Sequence, residues 1–202
     1  MKISPYKSTD KDLWDQFVEG SKNGTFLFLR DYMDYHKDRF SDSSLLIRNA
    51  KNIPIALFPA NYVESEKLVV SHGGLTYGSL LLSYEATAMD IGKMWEEIRR
   101  YYKHLGADLL HLKTIPYIYH NYPCEEELYW LFRFGAKLLS RGLSSVVDLR
   151  NPLSFSKLRK RKVKMAQQSS LELMLNAPLS YYSEFWTILE KVLLSYHNTL
   201  PV

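Results

Sequence analysis

Two stretches of this chain set chemically useful residue types close together. In the first, Ser71-His72-Gly73-Gly74-Leu75-Thr76-Tyr77-Gly78-Ser79, three of the nine glycines fall within six residues. Glycine lets a backbone approach a ligand closely and leaves amides free to donate, and His72, Thr76 and Tyr77 add polar tips. A tight strand connection whose glycines merely take positive φ would have the same spelling. The second stretch, Ile115-Pro116-Tyr117-Ile118-Tyr119-His120-Asn121-Tyr122-Pro123, holds three tyrosines and a histidine between two prolines. Phenol rings have apolar faces and polar ends, which suits a cleft wall that stacks on a sugar or a peptide. An irregular sheet-edge connection is the alternative. Ser71, His72, Gly73, Gly74, Thr76, Tyr77, Gly78, Tyr117, Tyr119 and His120 are the candidate substrate-binding residues.

A third stretch carries charge. Between Ser154 and Gln168 stand Lys157, Arg159, Lys160, Arg161, Lys162 and Lys164 with no acid among them. The chain's net charge is +4, and without this segment it is slightly acidic, with 20 Lys and Arg against 22 Asp and Glu. Arg159, Lys160, Arg161 and Lys162 are therefore candidate anion-binding residues. Three readings stay open: nucleic-acid phosphates, an anionic substrate or acidic lipid headgroup, or a solvated face held down by Phe155, Leu158 and Met165.

Other chemistries find no footing in the spacing. The six histidines never pair at i, i+3 or i, i+4, and no CxxC or HExxH occurs, so no metal site is expected. GxxxxGK[ST], GxGxxG and a GxSxG-like elbow are also absent. The single Cys124 reads as a small buried hydrophobe and fits a reducing compartment. The amino end, Met1 to Tyr6, is short, polar and interrupted by Pro5, and no apolar run approaches the ~18 residues of a membrane span. A soluble, cytoplasmic protein is the expectation.

The elements that must position these residues follow from periodicity. Asp10 to Val18 reads as a helix with Leu13, Trp14, Phe17 and Val18 on one face, stopped by Gly20 and Asn23-Gly24. Asp31 can cap a second helix running to Phe40. Ser44–Arg48, Ile53–Tyr62 and Lys67–Ser71 read as strands of a meander. The longest helical pattern runs from Tyr84 to Leu105, with Ile91, Met94, Trp95, Ile98 and Tyr102 at a 3.6 period and Gly106 beyond its end. Strand returns over Ala107–Ile115, helix over Glu125–Phe134 closed by Gly135, and a long strand is expected over Lys137–Leu149, bulged at Gly142. Ser154 can cap the basic helix, Leu171–Leu175 reads as a strand, and Tyr181–Tyr196 as a helix. This mixture predicts an α/β (α+β) fold.

Several of these pieces occur in one order. Asn23-Gly24-Thr25-Phe26-Leu27 leading into Tyr32-Met33, the Ser71–Gly78 loop, Lys113-Thr114-Ile115-Pro116-Tyr117-Ile118-Tyr119-His120, and Leu158-Arg159-Lys160-Arg161-Lys162-Val163-Lys164 followed by Leu171-Glu172-Leu173 resemble the amino-terminal portion of bacterial GNAT-superfamily proteins of the Fem-like kind. The resemblance spans nearly the whole chain and implies two tandem acetyltransferase-like domains. Residues 1–150 would form the first, acceptor-side domain, a mixed, mostly antiparallel sheet flanked by helices. Residues 151–202 would form the basic helix and opening strand and helix of an incomplete second domain.

Relatives of this kind transfer an acyl or aminoacyl group to an amine, often on a cell-envelope precursor. The resemblance thus implies acyl-CoA or aminoacyl-tRNA as a co-substrate, no tightly bound cofactor, and a small-molecule or cell-wall-precursor acceptor as partner, with tRNA as a further one. The donor cradle normally belongs to the second domain, and no R/Q-x-x-G-x-G/A loop occurs here. The expectation is a short form lacking most of the donor site, with no catalytic residue named. Two other functions compete: a non-catalytic binding module for a glycan, peptide or nucleotide-sugar, and RNA binding through residues 157–164. The apolar face of Tyr181–Tyr196 adds the expectation of a homodimer.

Overall fold

Residues 45–48 and 54–58 are apolar almost without interruption, the pattern of strands covered on both faces rather than one. The computed structural model, which describes residues 1–201 and His36 by its backbone alone, bears this out. Strands β1 (Lys2–Pro5), β2 (Leu45–Arg48), β3 (Pro54–Phe58) and β6 (Leu81–Leu82) form a four-stranded antiparallel sheet in the order β1-β2-β3-β6. Strands β4 (Asn61–Val63), β5 (Leu68–Val70) and β7 (Leu109–His111) form a second sheet, with β5 between an antiparallel β4 and a parallel β7. The fold is mixed α+β, with mostly antiparallel sheets flanked by helices.

Side chains alternate across the larger sheet, and each face has its own core. Leu45, Ile47, Ala56 and Phe58 meet Ile91, Met94, Trp95, Ile98 and Tyr102 of α3 (Ala88–His104). Leu46, Leu57 and Leu81 meet Trp14 and Val18 of α1 (Lys11–Glu19), with Leu27, Phe28 and Met33. The α3 helix starts with a capping box: Thr87 Oγ1 accepts from Asp90 N at 3.2 Å, and the Asp90 carboxylate accepts from Thr87 N at 3.1 Å. Past its end Gly106 takes φ +94°, a left-handed cap. Helix α4 (Glu126–Arg133) lies against α3 where Gly92 gives room for the Trp130 ring, whose Nε1 donates to Ala88 O at 2.6 Å.

The edge of β6 away from β3 is closed by side chains and a loop, not by a strand. Asn23 Nδ2 donates to Leu80 O at 2.8 Å and its Oδ1 accepts from Leu82 N at 3.0 Å, while Lys22 N donates to Leu82 O at 2.8 Å. Asn23-Gly24 therefore does more than stop α1: the buried amide imitates a neighbouring strand. Asn23→Ala leaves two buried backbone groups unsatisfied, and a loss of about 2–4 kcal/mol is expected in urea unfolding.

The structure departs from the sequence reading at several places. After α2 (Arg30–Met33) the chain makes a single tighter turn over Asp34–His36, so the second helix does not reach Phe40. Lys137–Leu149 is not a strand; a strand persists only where a neighbour completes its hydrogen-bond ladder, and none pairs with this stretch among the described residues. Leu171–Leu175 is likewise no strand, for the same reason. Ser156, not Ser154, caps the basic helix, its Oγ accepting from Arg159 N at 3.2 Å.

The chain divides into two units, Met1–Arg141 and Gly142–Val202. The second carries α5 (Lys157–Gln167) and α6 (Ser180–His197), and none of its described residues is buried. No described helix is long and apolar enough to cross a membrane.

Candidate functional site

The two chemical stretches, some forty residues apart in sequence, meet because β5 and β7 run parallel and deliver their ends side by side. Ser71 clips them together. Its N donates to His111 O at 2.9 Å, and its Oγ donates to Gly78 O at 2.7 Å while accepting from Lys113 N at 2.8 Å. Gly78 N closes the clip on Lys113 O at 2.6 Å. The Ser71–Gly78 loop is thus pinned at both ends to the strand that leads into Tyr117–His120.

The glycines serve this packing. None of Gly73, Gly74 and Gly78 has positive φ; the left-handed residue of the loop is His72, at φ 59°. A Cβ on Gly73 or Gly74 would stand 2.7 Å from the Phe40 ring, and one on Gly78 would overlap the Ser71 carbonyl oxygen. Two further amides of the loop are engaged: Gly73 N donates to Asn61 Oδ1 at 2.5 Å and Leu75 N to His72 O at 3.2 Å. Lys113 Nζ donates to Leu75 O and lies 3.5 Å from Gly73 O, and partial burial holds its ammonium below the usual lysine range. Glycine here lets a ring and a carbonyl come close, and the loop is braced from within.

On this brace sits an aromatic face. Tyr77 is buried, stacks on Tyr119 with centroids 5.1 Å apart and planes at 21°, and meets the edge of Phe28 at 6.0 Å. Its hydroxyl donates to Thr25 Oγ1 at 3.4 Å. Tyr119 and Tyr117 are exposed, as are Thr76, Ile118 and, next to Thr25, Phe26, whose ring meets Tyr32 edge-on at 5.3 Å. The sequence reading named Phe26 and Tyr32 in the run that carries the resemblance but not among the candidate binding residues. The surface offers ring faces with hydroxyl tips. A groove of about 600 Å³ between α3 and β7, and a hollow of about 300 Å³ around Phe17, Pro54 and Tyr84, both lie elsewhere.

The polar groups near this face are held internally. His120 Nε2 lies 3.3 Å from Ile115 O and Nδ1 3.5 Å from Cys124 Sγ. Burial pushes the Cys124 thiol up to about 11, so at neutral pH it is protonated and no nucleophile. Asn121 N and Tyr122 N donate to Lys22 O at 2.7 and 3.0 Å, tying the far end of the segment to the loop after α1.

One residue behind the face was invisible to the sequence reading. Glu127 is buried, its Oε1 accepting from Ser79 Oγ at 2.6 Å and Leu80 N at 3.3 Å. Burial pushes its carboxyl up to about 7, against the lowering by those two hydrogen bonds. Trp95, close by on α3, also lowers it, although its buried Nε1 makes no hydrogen bond of good geometry.

In the second unit Arg159, Lys160, Arg161 and Lys162 lie on α5, all exposed. Among the described residues no three His, Cys, Asp or Glu are grouped to hold a metal ion.

No family model matches the chain, and no curated protein matches it. Two solved structures of the BH1408 protein from Bacillus halodurans, a tetramutant and a single-site mutant, are similar to it in fold. They share 14% and 13% identity with it at TM-scores of 0.49 and 0.46, each covering 73% of this chain and 100% and 99% of its own.

Proposed function

We propose that residues 1–141 present the acceptor side of an N-acyltransferase of the Fem-like GNAT kind, binding an amine-bearing acceptor such as a cell-envelope precursor on the Tyr77–Tyr119 face. The observation that carries this reading is the 5.1 Å stack of Tyr77 on Tyr119, by which the loop and the tyrosine segment become one wall. An open aromatic face with hydroxyl tips suits an extended, partly sugar or peptide ligand that lies across it. The mixed, mostly antiparallel architecture supports the family reading. The donor, acyl-CoA or aminoacyl-tRNA, is assigned no residue here. Attack of an amine on a thioester or ester needs a proton acceptor and carbonyl polarisation, and the groups near this face are otherwise engaged.

That engagement favours a second reading, a non-catalytic binding module for a glycan or peptide. The two separate in one experiment. An amino-sugar disaccharide bearing a peptide with a free amine is titrated by calorimetry, and the same mixture is then assayed with acetyl-CoA and, separately, with aminoacyl-tRNA. Binding with turnover supports the transferase, binding without turnover the module, and no heat at millimolar ligand removes both. Tyr119→Ala is expected to weaken that binding about tenfold. Because Tyr119 is 46% exposed, the melting temperature should move little.

The basic helix carries an independent proposal, polyanion binding by Arg159, Lys160, Arg161 and Lys162, with tRNA as the RNA partner. An affinity for RNA that falls steeply with salt and with Lys160→Ala/Arg161→Ala supports it, and an insensitive profile removes it.

A further inference from the structure

We propose that Glu127 is a positioning residue of this acceptor face: its carboxyl fastens Ser79 and Leu80 to α4, thereby fixing the exit of the Ser71–Gly78 loop, with a hold that depends on its own protonation. The inference takes the face's role from the reading above, but the linkage it describes belongs to the protein alone.

The argument starts at the edge of β6. On one side Leu81 and Leu82 pair with Leu57 and Ala56 of β3. On the other, five hydrogen bonds reach Ser79–Leu82: three from Lys22 and Asn23, and two to Glu127. Neither the Lys22 amide nor the Asn23 side chain titrates in the accessible range. Glu127 does, and it reaches this edge from a separate helix, so it is the variable member of the set. Ser79 directly follows Gly78, which is clipped to Lys113, and Gly78 directly follows Tyr77, which stacks on Tyr119. A shift of Ser79 is transmitted over two residues to the aromatic face.

The charges around Glu127 do not neutralise it. On its own helix and the residues before it stand Glu125, Glu126 and Cys124. From the loop after α1 comes Lys22, whose Nζ donates to Ala86 O at 3.1 Å and lies 3.9 Å from Glu126 Oε1. Helix α3 contributes Trp95, and the β6 segment contributes Ser79 and Leu80; none of these carries charge. An ionised Glu127 is thus a buried carboxylate with two hydrogen bonds and no cation of its own, and it can regain hydration only by admitting water or drawing away from Ser79. The protonated acid stays buried at little cost. The hold is therefore tight at low pH and loosens as the carboxyl ionises.

The test is NMR on the full chain without ligand, from pH 5 to 9, with labelled glutamate carboxyls, amides and tyrosine rings. The Glu127 carboxyl, the Leu80 and Leu82 amides and the Tyr77 and Tyr119 rings should share one transition centred near pH 7. Amide exchange at Leu80 and Leu82, corrected for intrinsic pH dependence, should quicken about tenfold across it. Glu127→Gln keeps an oxygen acceptor for Ser79 and Leu80 and should abolish the transition, whereas His120→Gln, changing a neighbouring ring that makes no bond to Glu127, should leave it. Ser79→Ala removes a bond to the ionised form and should move the midpoint upward. The proposal is overturned if the carboxyl titrates at an ordinary value, if the tyrosine rings do not follow it, or if the transition disappears in His120→Gln. Should Glu127→Gln fail to fold, an unchanged midpoint in Ser79→Ala overturns it alone. Absence of acceptor binding would strike the functional reading and leave these signals as they are.

Discussion

Glu127→Gln is expected to stabilise the protein by about 3 kcal/mol at pH 8 relative to its effect at pH 4. The folded carboxyl titrates at about 7, above its ordinary value of 4.5. A group raised on folding binds its proton more tightly in the native state. Its favourable contribution is complete below about 4.5 and is lost as pH rises toward and through 7. Above that, the wild-type protein bears the full cost of a buried carboxylate, which the neutral amide never incurs. Urea unfolding of both proteins from pH 4 to 8.5 checks this. Parallel stability curves would show that Glu127 ionises as freely in the folded chain as in the unfolded one.

Gly78→Ala should cost about 3 kcal/mol or more, because the added methyl overlaps the Ser71 carbonyl oxygen, a backbone atom that cannot turn aside. The two residues are also joined by the Ser71 Oγ bond to Gly78 O, and Gly78 N is committed to Lys113 O. Relief of the clash therefore opens the clip and disturbs the Tyr77–Tyr119 stack. Near-UV circular dichroism should report loss of fixed tyrosine signal, alongside an earlier urea midpoint. Gly142→Ala is the comparison: nothing lies within 4 Å of its added carbon, and a near-neutral result is expected. Equal behaviour of the two variants would mean that the loop is not braced as described.

The face itself was legible as chemistry and opaque as geometry. Tyr77, Tyr117 and Tyr119 could be chosen from residue type and local spacing, since phenols beside prolines and glycines suit a connection that can bind. Their meeting depends on the parallel pairing of β5 with β7, a long-range register that no local period encodes. Gly73 and Gly74 were readable as points of close approach, but what approaches is Phe40, more than thirty residues earlier.

Burial was the property least available from the sequence. An acidic run at a helix start, Glu125 to Glu127, normally faces solvent and answers the helix dipole, so nothing in its spelling marks the third as enclosed. Asn23 before Gly24 likewise spells a helix stop, and its strand-like bonding to Leu80 and Leu82 needs the assembled sheet. The helices fared better because their signals are local: Gly106 lies within a turn of the end of α3 that it follows, whereas the Thr87 and Asp90 cap was passed over and the start set at Tyr84, four residues before Ala88. Lys137–Leu149 holds enough Leu and Val to suggest a strand, but composition supplies one partner of a ladder and not the other.

The central claim is that the loop and the tyrosine segment form one binding wall. Its most direct test is a titration of ring-labelled tyrosine protein with the amine-bearing amino-sugar peptide, followed by NMR. Tyr77, Tyr117 and Tyr119 should shift together with one dissociation constant, while Tyr84 and Tyr122, a separate exposed pair with centroids 5.7 Å apart, should stay in place. Shifts confined to Tyr84 and Tyr122, or no shift of any ring at millimolar ligand, would contradict it.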